Sequence, residues 1–333
     1  MRYFPCMKKL HGESHSCIRN AWIHGERRGQ CAICGKTWTI WEKKRGRKRS
    51  RPDRNLLKKI FVERQRLHQT AGVRLRRISL SGASRRLVRT MEGKEEKAIT
   101  DGFSAASYIL LIDALWHRFG NQSYTLYLRA LKRINGHTAR FLPPLLLPGK
   151  ENLKGWQTTI NDINPKLKGR IHAVVSDGWR GIERLAKQHH WILQRCHFHL
   201  IAQLQVNRGR RKHLPDQSMR EEMYQIARKL LITKTKVRWY KEQLALLIQH
   251  PDCPKRLKAI LRDYLRYLRH FRSYLNHPEL NLPTTINAME SMNKQIRQMC
   301  RPLRTPVSLL RWATHFLKFN QDIVCNGVQT PQN

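Results

Sequence analysis

Carboxylates are what this chain has least of. Its 333 residues hold 23 Asp and Glu against 65 Lys and Arg, a formal net charge of +42. Such an excess repels itself in isolation and calls for a polyanion. Long apolar runs are also missing. No stretch of about 18 uninterrupted apolar residues occurs, which argues against a transmembrane helix. The start, "MRYFPCMKKLHGESHSC", has no apolar core of a secretory signal. No internal repeat is found, and no low-complexity tract beyond one basic run, so a repeat array is set aside. The expectation is a cytoplasmic protein.

What is present can build a core: 40% of the residues are hydrophobic, and the length suggests two or three domains. Nucleic acid is the natural polyanion, because each Lys or Arg at a phosphate releases a condensed counterion. An anionic membrane surface is the rival. No sustained basic amphipathic helix with an aromatic face supports it.

Half of the eight cysteines fall within the first 34 residues. Without an export signal that clustering points to metal rather than disulfides. "CAICGKTW" (31–38) sets Cys31 and Cys34 two residues apart, with Gly35 for the turn, as half of a zinc site. The other half is irregular. Cys6 and Cys17 have ten residues between them, and His11, His15 and His24 are possible substitutes. The expected Zn²⁺ ligands are Cys6, Cys17, Cys31 and Cys34, with His15 as the replacement; a degenerate ribbon without metal is the alternative.

The chain divides by its grammar. Residues 1–41 form a zinc-ribbon-like head. Residues 42–95 hold the basic run "EKKRGRKRSRPDR" and a helix-turn-helix-like region. There Ser81 or Ser84 is an N-cap candidate, and Arg85, Arg86 and Arg89 follow on the next turns. Any short helical pair would read the same way. Residues 103–200 have the pattern of a mixed α/β layer. "SYILLID" (107–113) is a strand ending in Asp113, and "RIHAVVSD" (170–177) is a strand ending in Asp177. Asn135-Gly136 is a hairpin turn. Helices are expected in 150–163, in "RGIERLAKQHH" and in "FHLIAQLQ", with a strand in "WILQRC". Residues 201–283 read as helical, near 217–232, 234–249 and 255–275. Residues 284–325 begin with a helix for which Thr284 or Thr285 is the cap candidate.

On that last helix Ile286, Met289, Met292, Ile296 and Met299 form an apolar stripe. Asn287, Glu290, Lys294, Arg297 and Arg301 flank it as a polar ridge. Two aspartates at neighbouring strand ends repel each other unless a cation lies between them. With Glu290 they form a hard-oxygen set for Mg²⁺ or Mn²⁺ and for phosphodiester displacement. The plainer readings are an Asp that caps a helix and a surface Glu290–Lys294 ion pair.

The segments "LLIDALWHRF", "AVVSDGWRGIERLA" with "QRCHFHLI", and "TTINAMESMNKQIR" occur in this order. Together they resemble the DDE transposases of the Mutator-like group, including the related bacterial insertion-sequence transposases, over roughly residues 103–320. The resemblance implies a ribonuclease H-like α/β domain with a large all-helical insertion. It implies that Asp113, Asp177 and Glu290 are the acidic triad, with spacings of 177 − 113 = 64 and 290 − 177 = 113 residues. "CHFH" supplies a Cys-x2-His pair, Cys196 and His199, and "NAMESMN" supplies Asn287 and Asn293 around Glu290. Cys196, His199, Asn287, Asn293, Lys294 and Arg297 are then read as structural or DNA-positioning; metal binding or core packing stays open for Cys196 and His199. The implied function is binding of double-stranded DNA at transposon terminal repeats, metal-dependent strand cleavage, and transfer of the 3′ ends to target DNA, by a homo-oligomer at the nucleoid. The other hypotheses are a transposase-derived zinc-containing regulator without catalysis, and a nuclease of the same fold without joining.

Overall fold

The computed structural model describes residues 106–179, 181–208, 216–300, 303, 305–320 and 322–325, together with three short strands nearer the start. The chain separates into two units, Met1–Asn55 and Leu56–Asn333. In the first, β1 (Cys17–Ile23), β2 (Glu26–Cys31) and β3 (Thr37–Thr39) form an antiparallel sheet in that order. Cys17 and Cys31 are Cα partners across β1 and β2. Cys6, Cys34, His15 and the helix-turn-helix reading of 42–95 lie outside the described residues.

The second unit is built on a seven-stranded mixed sheet. β4 (Tyr108–Phe119) and β5 (Gln122–Arg133) form a long antiparallel hairpin, closed by Gly120 at a left-handed φ of +57°. β6 (Thr138–Phe141) pairs with one half of β5, across the Asn135-Gly136 turn, and β7 (Leu145–Pro148) with the other half. α1 (Leu153–Asn161) and the short α2 (Pro165–Lys168) lead to β8 (Ile171–Ser176), which runs parallel to β4. α3 (Ile182–Gln188) crosses over to β9 (Ile192–Arg195), parallel to β8. Adding β10 (Asp322–Val324) outside β6, the order across the sheet is β10-β6-β5-β4-β8-β9.

Residues 108–112 are buried without alternation because both faces of the sheet are covered. Tyr108, Leu110 and Ile112 join Trp156, Ile160 and Leu185 from α1 and α3 on one side. Ile109 and Leu111 lie on the other side, with residues of the two last helices. The strand continues past Asp113 because β5 goes on pairing it as far as Phe119. Asp113 is therefore in mid-strand opposite Leu128, not at a strand end.

α4 (His197–Arg208) opens a helical array with its own core: α5 (Gln217–Ile232), α6 (Val237–Gln249) and α7 (Lys255–Arg266). The helix expected over 255–275 is three pieces, α7, α8 (Leu268–Phe271) and α9 (Ser273–Asn276). The breaks let Ser273 Oγ donate to Leu193 O (2.7 Å) and Tyr274 N–H to Gln194 Oε1 (2.9 Å), tying the array to β9. After a 3₁₀ turn at Pro278–Leu280, the buried Lys132 ammonium of β5 donates to Asn281 O at 3.1 Å and to two carbonyls of its own hairpin. α10 (Asn287–Cys300) and α11 (Pro306–Phe319) finish the unit. α10 starts beyond the two threonines. Thr284 O instead accepts from His197 N–H at 2.8 Å, joining the starts of α4 and α10. Among the described residues no helix is long and apolar enough to cross a membrane.

Candidate active site

The last parallel rung between β4 and β8 pairs Leu111 with Val175. Asp113 and Asp177 each lie two residues beyond it, one pleat further along their strands. β8 stops there and β4 does not. Asp113 is 7% exposed on a continuing strand, and Asp177 lies in the bend that follows β8.

Glu290 comes from α10, which is fixed by packing. Ile286, Met289, Met292 and Ile296 are buried in the core under the sheet. Each such side chain contributes about 1.5–3 kcal/mol, well above the tenths of a kcal/mol that separate most helix propensities. Asn287, Lys294 and Arg297 are exposed on this helix. Asn293 is not on that ridge. It is 1% exposed, and its Nδ2–H donates to Asp113 Oδ2. Ala114 N–H donates to the other oxygen, Oδ1, at 2.8 Å. Asn293 Oδ1 is buried and has no hydrogen-bond partner.

Glu290 also lies beside Asp113, and the two carboxyl groups perturb each other. Burial, then the charges of Glu290 and Asp177, hold the Asp113 carboxyl well above its usual range. Glu290 is held below its range, first by the hydrogen bond from His199, whose Nε2 is 2.8 Å from Oε1. Burial works against a charged His199, but Cys196 and Glu290 together raise it to about 10. His199 is therefore an imidazolium at neutral pH. Cys196 is fully buried; its Sγ accepts from Ile286 N–H at 3.4 Å, where α10 begins.

Asp177 is held by its own turn. Its Oδ1 accepts from Trp179 N–H (3.1 Å) and Ser176 Oγ–H (3.3 Å). Gly178 follows at φ +96°. Beneath it lies Arg195, whose Nη2–H donates to Gly178 O at 2.7 Å and Nη1–H to Asp263 Oδ2 of α7 at 3.2 Å. The guanidinium is 4.6 Å from the Tyr267 ring centre and 5.0 Å from that of Phe271. Only a glycine fits here, since a Cβ would lie 2.2 Å from Arg195 Nε.

Sequence reasoning passed over Arg195, and it passed over Glu151 before α1. Trp156 Nε1–H donates to Glu151 Oε1 at 2.7 Å. Burial, with the Asp177 charge adding to it, raises the Glu151 carboxyl to about 7. Neither residue stands in a motif; both depend on which strand ends and helices meet. His197, the second residue of "CHFH", is also structural: its Nε2 is 2.6 Å from Phe271 O, and burial lowers it to about 4.

The structure thus brings Asp113, Glu290, Asn293 and His199 into one bonded chain, with Asp177 within range of Asp113 through its charge. Among the described residues no three His, Cys, Asp or Glu side chains are grouped to hold a metal ion together. Residues 144–305, just under half of the chain, match the family described as Transposase, Mutator family. The match contains Asp177, the helical array and Glu290; Asp113 and the β4–β5 hairpin precede it. No curated protein matches the chain.

Proposed function

We propose, from the family match of segment 144–305, that the chain is a Mutator-like transposase that cuts DNA at transposon ends and joins the freed 3′ ends to target DNA. The observation that carries the reading is the buried Asp113 carboxyl set beside Glu290 and within range of the Asp177 charge, in a chain of net charge +42. Like charges so close are unfavourable without a cation, and nothing in the packing of the sheet requires them. We read the order β6-β5-β4-β8-β9 as ribonuclease H-like and α5–α9 as its helical insertion.

The donor set fits Mg²⁺ or Mn²⁺: carboxylate oxygens only, one of them bearing a proton that a divalent ion would displace. Asp113, Asp177 and Glu290 would hold it, and the ion would activate the attacking hydroxyl and stabilise the leaving oxygen. The protein's own groups keep these carboxylates in position. Asn293 fixes one Asp113 oxygen, His199 fixes Glu290, and Arg195 braces the turn of Asp177. In cleavage a water oxygen attacks phosphorus and the 3′ oxygen leaves, giving a 3′ hydroxyl and a 5′ phosphate. In joining that hydroxyl attacks a target phosphodiester and the target's 3′ oxygen leaves. The partner is double-stranded DNA, and a homo-oligomer at the nucleoid would hold two ends. In the first unit, the facing register of Cys17 and Cys31 suits two of four Zn²⁺ ligands.

The test is Mg²⁺-dependent cleavage of a supercoiled plasmid that carries the element's own ends. Wild type should cut and Glu290→Gln should not, while both bind. Equal cutting by the two proteins would remove Glu290 from the chemistry. Binding without cutting by either would favour a non-catalytic regulator.

A further inference from the structure

Past Asp113, β4 emerges from the covered part of the sheet. The segment Trp116 to Phe119 borders an open cleft of about 430 Å³, closed on the other side by Arg297 and Leu303. The cleft is lined by the continuation of β4 past Asp113 and by α10 beyond Asn293. Glu290, Asn293 and Arg297 follow one another down α10 at spacings of three and four, hence along one side of it. The first two meet Asp113, and the third meets the cleft.

Its lining is unusual for a protein surface. Trp116 is 53% exposed, although an indole is among the side chains that gain most from burial. His117 stacks on Phe119 with ring centres 6.4 Å apart and planes at 14°, and Phe119 meets Tyr124 edge-on at 5.9 Å. The His117 Nε2 is buried with no hydrogen-bond partner. Burial first, then the positive charge of Arg297, lowers the His117 pKa, so the ring is a neutral imidazole beside an exposed guanidinium. A flat aromatic surface, an unused ring nitrogen and a cation within one cleft match the parts of a nucleotide: a base to stack and a phosphate to hold. A duplex base is already stacked on its neighbours and offers no free face.

We propose that this cleft takes one unpaired nucleotide of the bound DNA, its base against Trp116 and its phosphate on the exposed Arg297 guanidinium. The inference rests on the transposase reading and adds to it that the strand next to the reacting phosphate is unstacked. A nucleotide drawn out there would hold the strand in register with Asp113 and Glu290.

The test uses the full chain and two DNA probes: a duplex with a single unpaired 2-aminopurine nucleotide in its middle, and the same duplex fully paired. Wild type should bind the bulged duplex roughly tenfold more tightly, within the range that base–aromatic stacking supplies, and should quench the 2-aminopurine emission. Trp116→Ala should lose both the preference and the quenching, and Trp116→Phe should retain them. Leu246→Ala, at an exposed position on α6, controls for the loss of any surface apolar group and should behave as wild type. Preference and quenching that survive in Trp116→Ala would overturn the proposal. So would a wild type that binds the paired duplex and shows no preference; that result leaves the transposase reading intact. Binding to neither duplex, together with plasmid cutting that Glu290→Gln does not change, would overturn both.

Discussion

Asn293 donates its amide hydrogen to Asp113 across 180 residues of sequence. That bond joins the middle of a strand to the second turn of a helix near the other end of the chain. With Ala114 N–H on the other oxygen, both Asp113 oxygens accept a hydrogen bond from the protein, which fixes the orientation of the carboxyl.

Asp113→Asn should stabilise the metal-free protein at neutral pH. A group whose folded pKa is raised contributes stability that is complete below its unfolded pKa and is lost as pH rises through the folded one. Asp113 is such a group. The amide keeps an acceptor for Asn293 and removes the charge, a gain on the order of 1–2 kcal/mol. Thermal melts in a chelator should place the variant above wild type at pH 7 and level with it near pH 4. Wild type alone should gain stability when Mg²⁺ is added.

Glu290→Gln should lower plasmid cutting by roughly a hundredfold or more, the range found when one stabilising group is removed from a reacting centre. The same change frees His199 from its carboxylate, so the imidazole should titrate well below 10. A two-dimensional NMR titration of the histidine ring protons reads this directly, and an unmoved His199 would contradict the pairing.

Gly178→Ala should cost about 2–3 kcal/mol, because the left-handed φ is strained for any side chain and the methyl meets Arg195. The loss of cutting should exceed what the stability loss explains, since the displaced turn carries Asp177. Cutting by the folded variant at wild-type rate would show that Arg195 braces nothing.

Glu151 predicts a pH effect of its own. Its carboxyl is raised to about 7, so its contribution to stability is complete below about 4.5 and lost as pH rises through 7. Glu151→Gln should flatten the stability profile between those limits. An unchanged slope in urea unfolding at pH 5, 6 and 7 would rule this out.

Much of the fold was legible because it follows from local pattern. Residues 171–176 are an apolar run bounded by Arg170 and Asp177, and 217–232 is a helix with the expected limits. The hairpin at Asn135-Gly136 formed where its turn chemistry put it. Less legible was whatever depends on a neighbour. Asp113 read as a strand end because it closes the apolar run 107–112, yet pairing with β5 carries the strand six residues further. The helix 255–275 read as continuous because no Pro or Gly interrupts it, and its breaks are imposed by bonds to β9. Asn293 read as structural or DNA-positioning with no partner named; the packing of α10 against β4 buries it and gives it Asp113.

The Asp113–Asn293 bond also has a consequence in time. β4 and β5 meet by a two-residue turn, and β8 and β9 by a single crossover helix, whereas α10 closes the longest loop of this unit's site. Contacts so far apart in sequence form late, after the loop between them is ordered. Pulse-labelled hydrogen exchange should find β4 and β5 protected before α10. During synthesis, at about 5–20 residues per second, Asp113 and Asp177 emerge many seconds before Glu290. On the proposed function, the nascent chain lacks its third carboxylate until its last helices dock, so a copy of the gene interrupted before α10 should encode a protein that binds DNA without cutting it.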